Sequence, residues 1–154
     1  MTLSELIQQD RFTTPSQEAL LNVLATASWV ATNMNAALAP HGVTQAQYNV
    51  LRILRGRHPD RYTCTEVGTR LLDRTPDVTR LLVRLEKRGF VRRERAAHDR
   101  RVVEVSITDA GLETLSRLDE PVETTIARLG SHLTEEELTQ LSALLEKVRT
   151  DQTE

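Results

Sequence analysis

Apolar residues follow helical spacing along most of the chain and strict alternation in only one place. From Ser16 to Leu38 they stand at Leu20, Val23, Leu24, Ala27, Val30, Ala31, Met34 and Leu38, one face of a helix with ~3.6 residues per turn. Pro40 and Gly42 end that stretch. Thr44 followed by Gln47 has the form of a capping box, in which each side chain satisfies the other residue's free amide, and opens a helix carrying Val50, Leu51 and Leu54. Thr63 and Glu66 repeat the device ahead of Val67, Leu71 and Leu72, which predicts a helix over 63–72. Thr108 begins a longer one through Leu112, Leu115, Leu118, Val122, Ile126 and Leu129 to Gly130. Pro121 lies inside it and, lacking an amide donor, is expected to kink or divide it. Thr134 and Glu137 cap a last helix with Leu138, Leu141, Leu144, Leu145 and Val148.

The best-defined helix is predicted over 75–88. Thr75 is placed to cap it, and Pro76 at its first position forfeits a hydrogen bond that was not available. Val78, Leu81, Leu82 and Leu85 form a narrow buried stripe, and Gly89 supplies a left-handed stop. At ~100° per residue the opposite face carries Pro76, Arg80, Val83, Arg84 and Lys87, flanked by Asp77 and Thr79. Two short helices joined by a minimal turn, the second exposing cations, form a helix-turn-helix pattern. Alternation then appears at Val103, Val105 and Ile107, so 90–95 and 101–107 pair as a hairpin. The intervening loop of Ala96, Ala97, His98, Asp99 and Arg100 is too polar for the core. A hairpin directly after such a helix is the wing of a winged helix. The expected fold class is therefore mainly α with a small β-hairpin wing (α+β), a winged helix-turn-helix joined to a helical dimerisation region.

Composition narrows the class. The chain has 154 residues, long enough for one cored domain, and its aromatic share of 3% makes that core aliphatic. A single cysteine, Cys64, excludes an internal disulfide. The first residues lack a basic and apolar leader, and no apolar run approaches the ~20 residues of a membrane span, so a cytoplasmic protein without membrane contact is expected. Net charge is only −2, yet residues 50–101 hold 15 Lys and Arg against 7 Asp and Glu, whereas the remainder holds 5 against 15. A basic block inside acidic flanks points to a polyanionic partner for that block. Five arginines of the hairpin region, Arg92, Arg93, Arg95, Arg100 and Arg101, are expected to await DNA phosphates and a groove floor, because narrow minor grooves concentrate negative potential.

VTQAQYNVLRIL (43–54), TEVGTRLLDRTPDVTRLLVRLEKRGFVRR (65–93) and DRRVVEVSITDAG (99–111) together resemble the MarR family of bacterial transcription regulators, along nearly the whole chain. The resemblance implies one MarR-type domain over 1–154. Residues 1–40 and 109–154 would form the dimerisation region and 44–108 the DNA-binding lobe. Thr75, Pro76, Asp77, Thr79 and Arg80 would approach base edges and phosphates, with Arg84 beside them. Asp99 would brace the wing by salt-bridging an arginine, and Arg101 would enter the minor groove, with Arg95, His98 and Arg100 around it. The implied partners are double-stranded DNA carrying a pseudo-palindromic operator, a second copy of the chain, and a small aromatic or phenolic effector, with repression as the usual mode. Trp29 and Met34 lie near where similar proteins bind such compounds, though both equally suit core or interface.

Rival classes have less support. No nucleophile–base set, phosphate loop or cofactor motif stands out, so an enzyme is not expected. His41, His58, His98 and His132 are too scattered to propose a metal. A winged-helix dimer that binds protein remains an alternative, as does a redox-sensing repressor using Cys64, although a small half-buried residue is its simpler role.

Overall fold

The computed structural model describes residues 2–9, 11–71, 77–97 and 99–150. Its elements are α1 (Leu3–Ile7), α2 (Pro15–Leu38), α3 (Gln45–Arg55), β1 (Tyr62–Thr63), α4 (Cys64–Arg70), α5 (Val78–Lys87), β2 (Val91–Arg95), β3 (Val103–Ile107), α6 (Asp109–Gly130) and α7 (Glu135–Val148). Local chemistry starts most of the helices. Thr44, Thr63 and Thr134 each accept from the amide three residues on, while Gln47, Glu66 and Glu137 accept from the threonine amide in return. The amide and hydroxyl of Thr63 hold the Glu66 carboxyl below the ordinary glutamate range, and those of Thr134 do the same for Glu137.

Helix α3 runs through the centre of the core. Its Val50, Leu51 and Leu54 are buried with Leu38 of α2, Val67 of α4, Leu82 and Leu85 of α5, Val105 of β3, and Leu115 and Leu118 of α6. The strands form an antiparallel sheet in the order β1-β3-β2. Val91 lies opposite Ile107, Arg93 opposite Val105 and Arg95 opposite Val103, so these pairs share the core side. The other side sets Glu94 opposite Glu104. Like charges so placed repel, and Arg61 relieves them by reaching both, at 2.6 Å and 3.5 Å.

Three expectations are corrected. Helix α5 begins at Val78, not at Thr75, because the Asp77 side chain accepts the Arg80 amide at 3.1 Å and takes the capping role; Thr75 and Pro76 lie outside the described residues. Helix α4 stops at Arg70, since Leu71 turns extended to bury its side chain, and Leu72 is also outside the described residues. Pro121 does not divide α6, which runs unbroken from Asp109 to Gly130. The Thr125 hydroxyl, buried, donates to the Pro121 carbonyl at 2.8 Å within that helix. Leu115, Leu118 and Val122 of α6 belong to the core. Two elements, α1 and β1, have no counterpart among the predicted ones. Among the described residues no helix is long and apolar enough to cross a membrane.

Candidate nucleic-acid interface

Helix α5 is seated by Leu81, Leu82 and Leu85, all buried, with Val78 half-buried at its start. That stripe fixes the opposite face outward. Asp77, Thr79, Arg80, Arg84 and Lys87 are exposed, with Val83 half-buried among them. Gly89 ends the helix at φ +73°, where a side chain would be strained. The chain then turns directly into β2. Glu86 guides this turn, accepting the Arg93 amide at 3.2 Å and its guanidinium at 3.4 Å.

The wing tip is held by backbone and short polar contacts. The Ala96 amide donates to Val102 at 3.0 Å and the Val102 amide to Asp99 at 3.0 Å. The carboxylate of Asp99 accepts the Arg101 amide at 2.9 Å. Asp99 therefore braces the wing by capping a backbone donor; among the described residues it makes no arginine salt bridge, because its carboxylate is turned onto its own loop. Arg95 donates to the Arg100 carbonyl at 3.2 Å. Ala96 is buried, so the loop is not wholly outside the core as its polarity suggests. His98 lies outside the described residues.

The structure sorts the cations of the basic block by what each is doing. Arg55, Arg57, Arg61, Arg92 and Arg93 are paired with carboxylates. Arg93 falls on the core side of β2, where only 20% of its side chain is exposed, and Arg92 is drawn to Glu94. Arg93 is therefore turned inward, whereas Arg92, with 71% of its side chain exposed, holds only a surface pair. Arg52 and Arg70 lie over the rings of Tyr48 and Tyr62, and Arg88 stacks on Phe90 while donating to the Gly42 carbonyl. Among the described residues of the block, what remains is Arg80, Arg84 and Lys87 on α5, with Arg95, Arg100 and Arg101 on the wing; Arg74 lies outside the described residues. All six are exposed, and none has a carboxylate within 4.0 Å among the described residues. Lys87 completes the α5 face although it was not singled out as a contact residue.

Between α4 and α5 a cleft of about 570 Å³ is lined by Cys64, Thr65, Gly68, Thr69, Val78 and Thr79. Cys64 is half-buried at its edge and packs against the core. Trp29 is 50% exposed on α2, whereas Met34 is buried.

Comparison with known proteins decides the family. The model of the MarR family matches residues 41–102. The chain is 36% identical over 107 residues to an uncharacterized HTH-type transcriptional regulator, YkoM, of Bacillus subtilis, spanning 70% of this chain and 68% of that protein. The chain belongs to the MarR family. The crystal structure of a MarR transcription factor from Planctomyces limnophilus is 39% identical, with a TM-score of 0.70, covering 88% of this chain and 98% of that one. A mutant MarR from E. coli complexed with operator DNA is 29% identical, with a TM-score of 0.74, over 82% and 89% of the two chains. These structural neighbours are MarR winged-helix proteins, and the present chain has the matching mainly helical fold with a small antiparallel sheet.

Proposed function

We propose that this MarR-family transcriptional regulator binds a pseudo-palindromic operator as a homodimer, with α5 in the major groove and the wing over the adjacent minor groove. Residues 44–108 are the reading lobe, and 1–40 with 109–154 the dimerisation region. Bound at its operator the protein represses, and a small aromatic or phenolic effector releases it by binding the DNA-incompetent shape better than the competent one. The observation that carries this reading is the set of six exposed cations without a carboxylate partner, three on α5 and three on the wing, while the other described cations of the basic block are engaged by carboxylates, rings or a carbonyl. The likeness to a MarR complexed with operator DNA supports it. Burying such a surface against a neutral protein would strand charges without partners, which disfavours the protein-binding alternative.

A salt titration tests the proposal. Affinity for a duplex selected from random sequence is expected to fall by on the order of a thousandfold between about 50 and 200 mM salt, as phosphate counterions are released. Salt-independent binding, or none to any duplex, overturns it.

Two substitutions separate reading from anchoring. Arg80→Ala is expected to cost about 1–3 kcal/mol on the selected site and far less on scrambled DNA, as loss of a base contact would. Equal losses on both would reassign Arg80 to phosphate. Arg101→Ala is expected to weaken binding most where the flanking sequence is A/T-rich and its minor groove narrow. Competition between duplexes differing only in their flanks measures this, and a uniform loss would remove Arg101 from the groove.

A further inference from the structure

Arg55, the last residue of α3, crosses to Asp119 in the middle of α6. Its Nη1 donates to Oδ1 at 3.0 Å and to Oδ2 at 2.9 Å. Tyr48, Arg52 and Arg55 stand at i, i+4 and i+7 on α3 and therefore share one face. Tyr48 is 4% exposed, with the Arg52 guanidinium 5.8 Å from its ring centre. Burial pushes the Tyr48 phenol up; Arg52 and Arg55 oppose that shift while Asp119 and Glu123 add to it. One ion pair between α3 and α6 thus stands near a buried ring, on helices whose Leu51, Leu54, Leu115 and Leu118 share the core.

The location matters more than the strength. Asp119 stands two residues before Pro121, where the α6 backbone has no amide to offer the preceding turn. Before the proline Leu115 and Leu118 are buried; beyond it α6 keeps a buried edge at Val122 and Thr125 while Ile126 is 55% exposed. The segment packed on α3 of the reading lobe thus gives way, past the proline, to one that reaches α2, where the Arg128 guanidinium donates to the Asn33 side chain at 2.8 Å, and the ion pair grips the helix just before that change.

We propose that Arg55 and Asp119 are positioning residues for operator binding: their pair fixes the angle at which α6 leaves the reading lobe, and through it the separation of the two recognition helices. This rests on the dimeric reading above. Two half-sites on a stiff duplex, about one turn apart, demand one separation; a lobe free to swing satisfies one half-site easily and both together rarely. The pair is about two-fifths exposed, with side chains at 38% and 41%. Half-exposed pairs of this kind add little to folding stability, so their replacement leaves the fold intact while loosening the angle.

The test compares the full palindrome obtained by selection from random DNA with a duplex carrying one of its halves. Asp119→Asn and Arg55→Gln are each expected to lower affinity for the full site at least about fivefold, the lower range of coupling between linked sites. Affinity for the single half-site stays unchanged, and the double variant Arg55→Gln with Asp119→Asn is no worse than either single one. Exchanging the partners, Arg55→Asp with Asp119→Arg, restores part of the loss. Equal losses on the full site and the half-site, or none on the full site, overturn the positioning role while leaving the dimer reading standing. A wild-type protein that binds full and half sites equally removes the dimer reading, and this inference with it. Thermal melts of each variant exclude simple unfolding as the cause.

Discussion

Gly111→Ala is expected to destabilise the protein by about 3 kcal/mol or more, at the upper end of overpacking costs, although general helix propensity argues for the opposite sign. Gly111 lies in the first turn of α6, and replacing an unconstrained helical glycine by alanine ordinarily gains about 0.5–1 kcal/mol. Here a Cβ would stand 2.7 Å from Ile107 Cγ1 and inside the contact distance of the Phe90 carbonyl oxygen. Neither neighbour is free to retreat. The Phe90 carbonyl accepts the Thr108 amide at 3.1 Å, and the Thr108 hydroxyl donates to the Gly89 carbonyl at 2.6 Å while accepting the Gly111 amide at 3.2 Å. Ile107 ends β3 and is buried. Added volume must therefore move backbone at the junction of recognition helix, wing and α6. Urea denaturation measures the cost as a lower midpoint at constant slope. A midpoint equal to or above that of the wild type would show that the junction yields, and that Gly111 is not required there.

How much of this was legible in the sequence depends on how local the deciding chemistry is. Thr44 with Gln47, Thr63 with Glu66 and Thr134 with Glu137 were readable because a capping box is complete within four residues. The start of α5 was misplaced because Thr75 and Asp77 both offer capping oxygens and only the backbone path chooses between them. Strand β1 was invisible: Tyr62–Thr63 is too short for any period, and its identity comes from pairing with β3 far along the chain. Among the basic residues, the total charge was readable but its commitments were not. Whether Arg61 faces solvent or bridges Glu94 and Glu104, and whether Arg93 faces DNA or Glu86, depends on partners brought together by the fold. The α5 cations were placed correctly because their orientation follows from the opposing apolar stripe, which is local. For α6 a single apolar stripe serves two destinations, the core at Leu115, Leu118 and Val122 and the surface at Ile126, and periodicity does not tell them apart.

The same ambiguity makes the unpartnered part of the molecule its most consequential surface. Helix α7 has a fully helical backbone over Glu135–Val148 but no buried residue. Leu138, Leu141, Leu144 and Val148 are 41%, 42%, 52% and 56% exposed, and Leu20, Leu24 and Trp29 of α2 and Ile126 of α6 are likewise exposed. A helix of this length is marginal in water on propensity alone, and burying each leucine contributes about 1.5–3 kcal/mol. These faces have the composition of a core divided between two molecules, as obligate dimers show. Leu141→Asp combined with Leu144→Asp is therefore expected to yield a monomer in sedimentation equilibrium, with helical ellipticity reduced as α7 loses its support. Affinity for a full palindromic site is expected to fall by on the order of a hundredfold or more, because the second half-site no longer binds as an intramolecular event. Contact with a single half-site depends on α5 and the wing and stays near the wild-type value. A double variant that sediments like the wild type would place the dimer contact elsewhere, and a wild-type chain that is itself monomeric, with α7 helical, would leave these leucines without the role assigned to them.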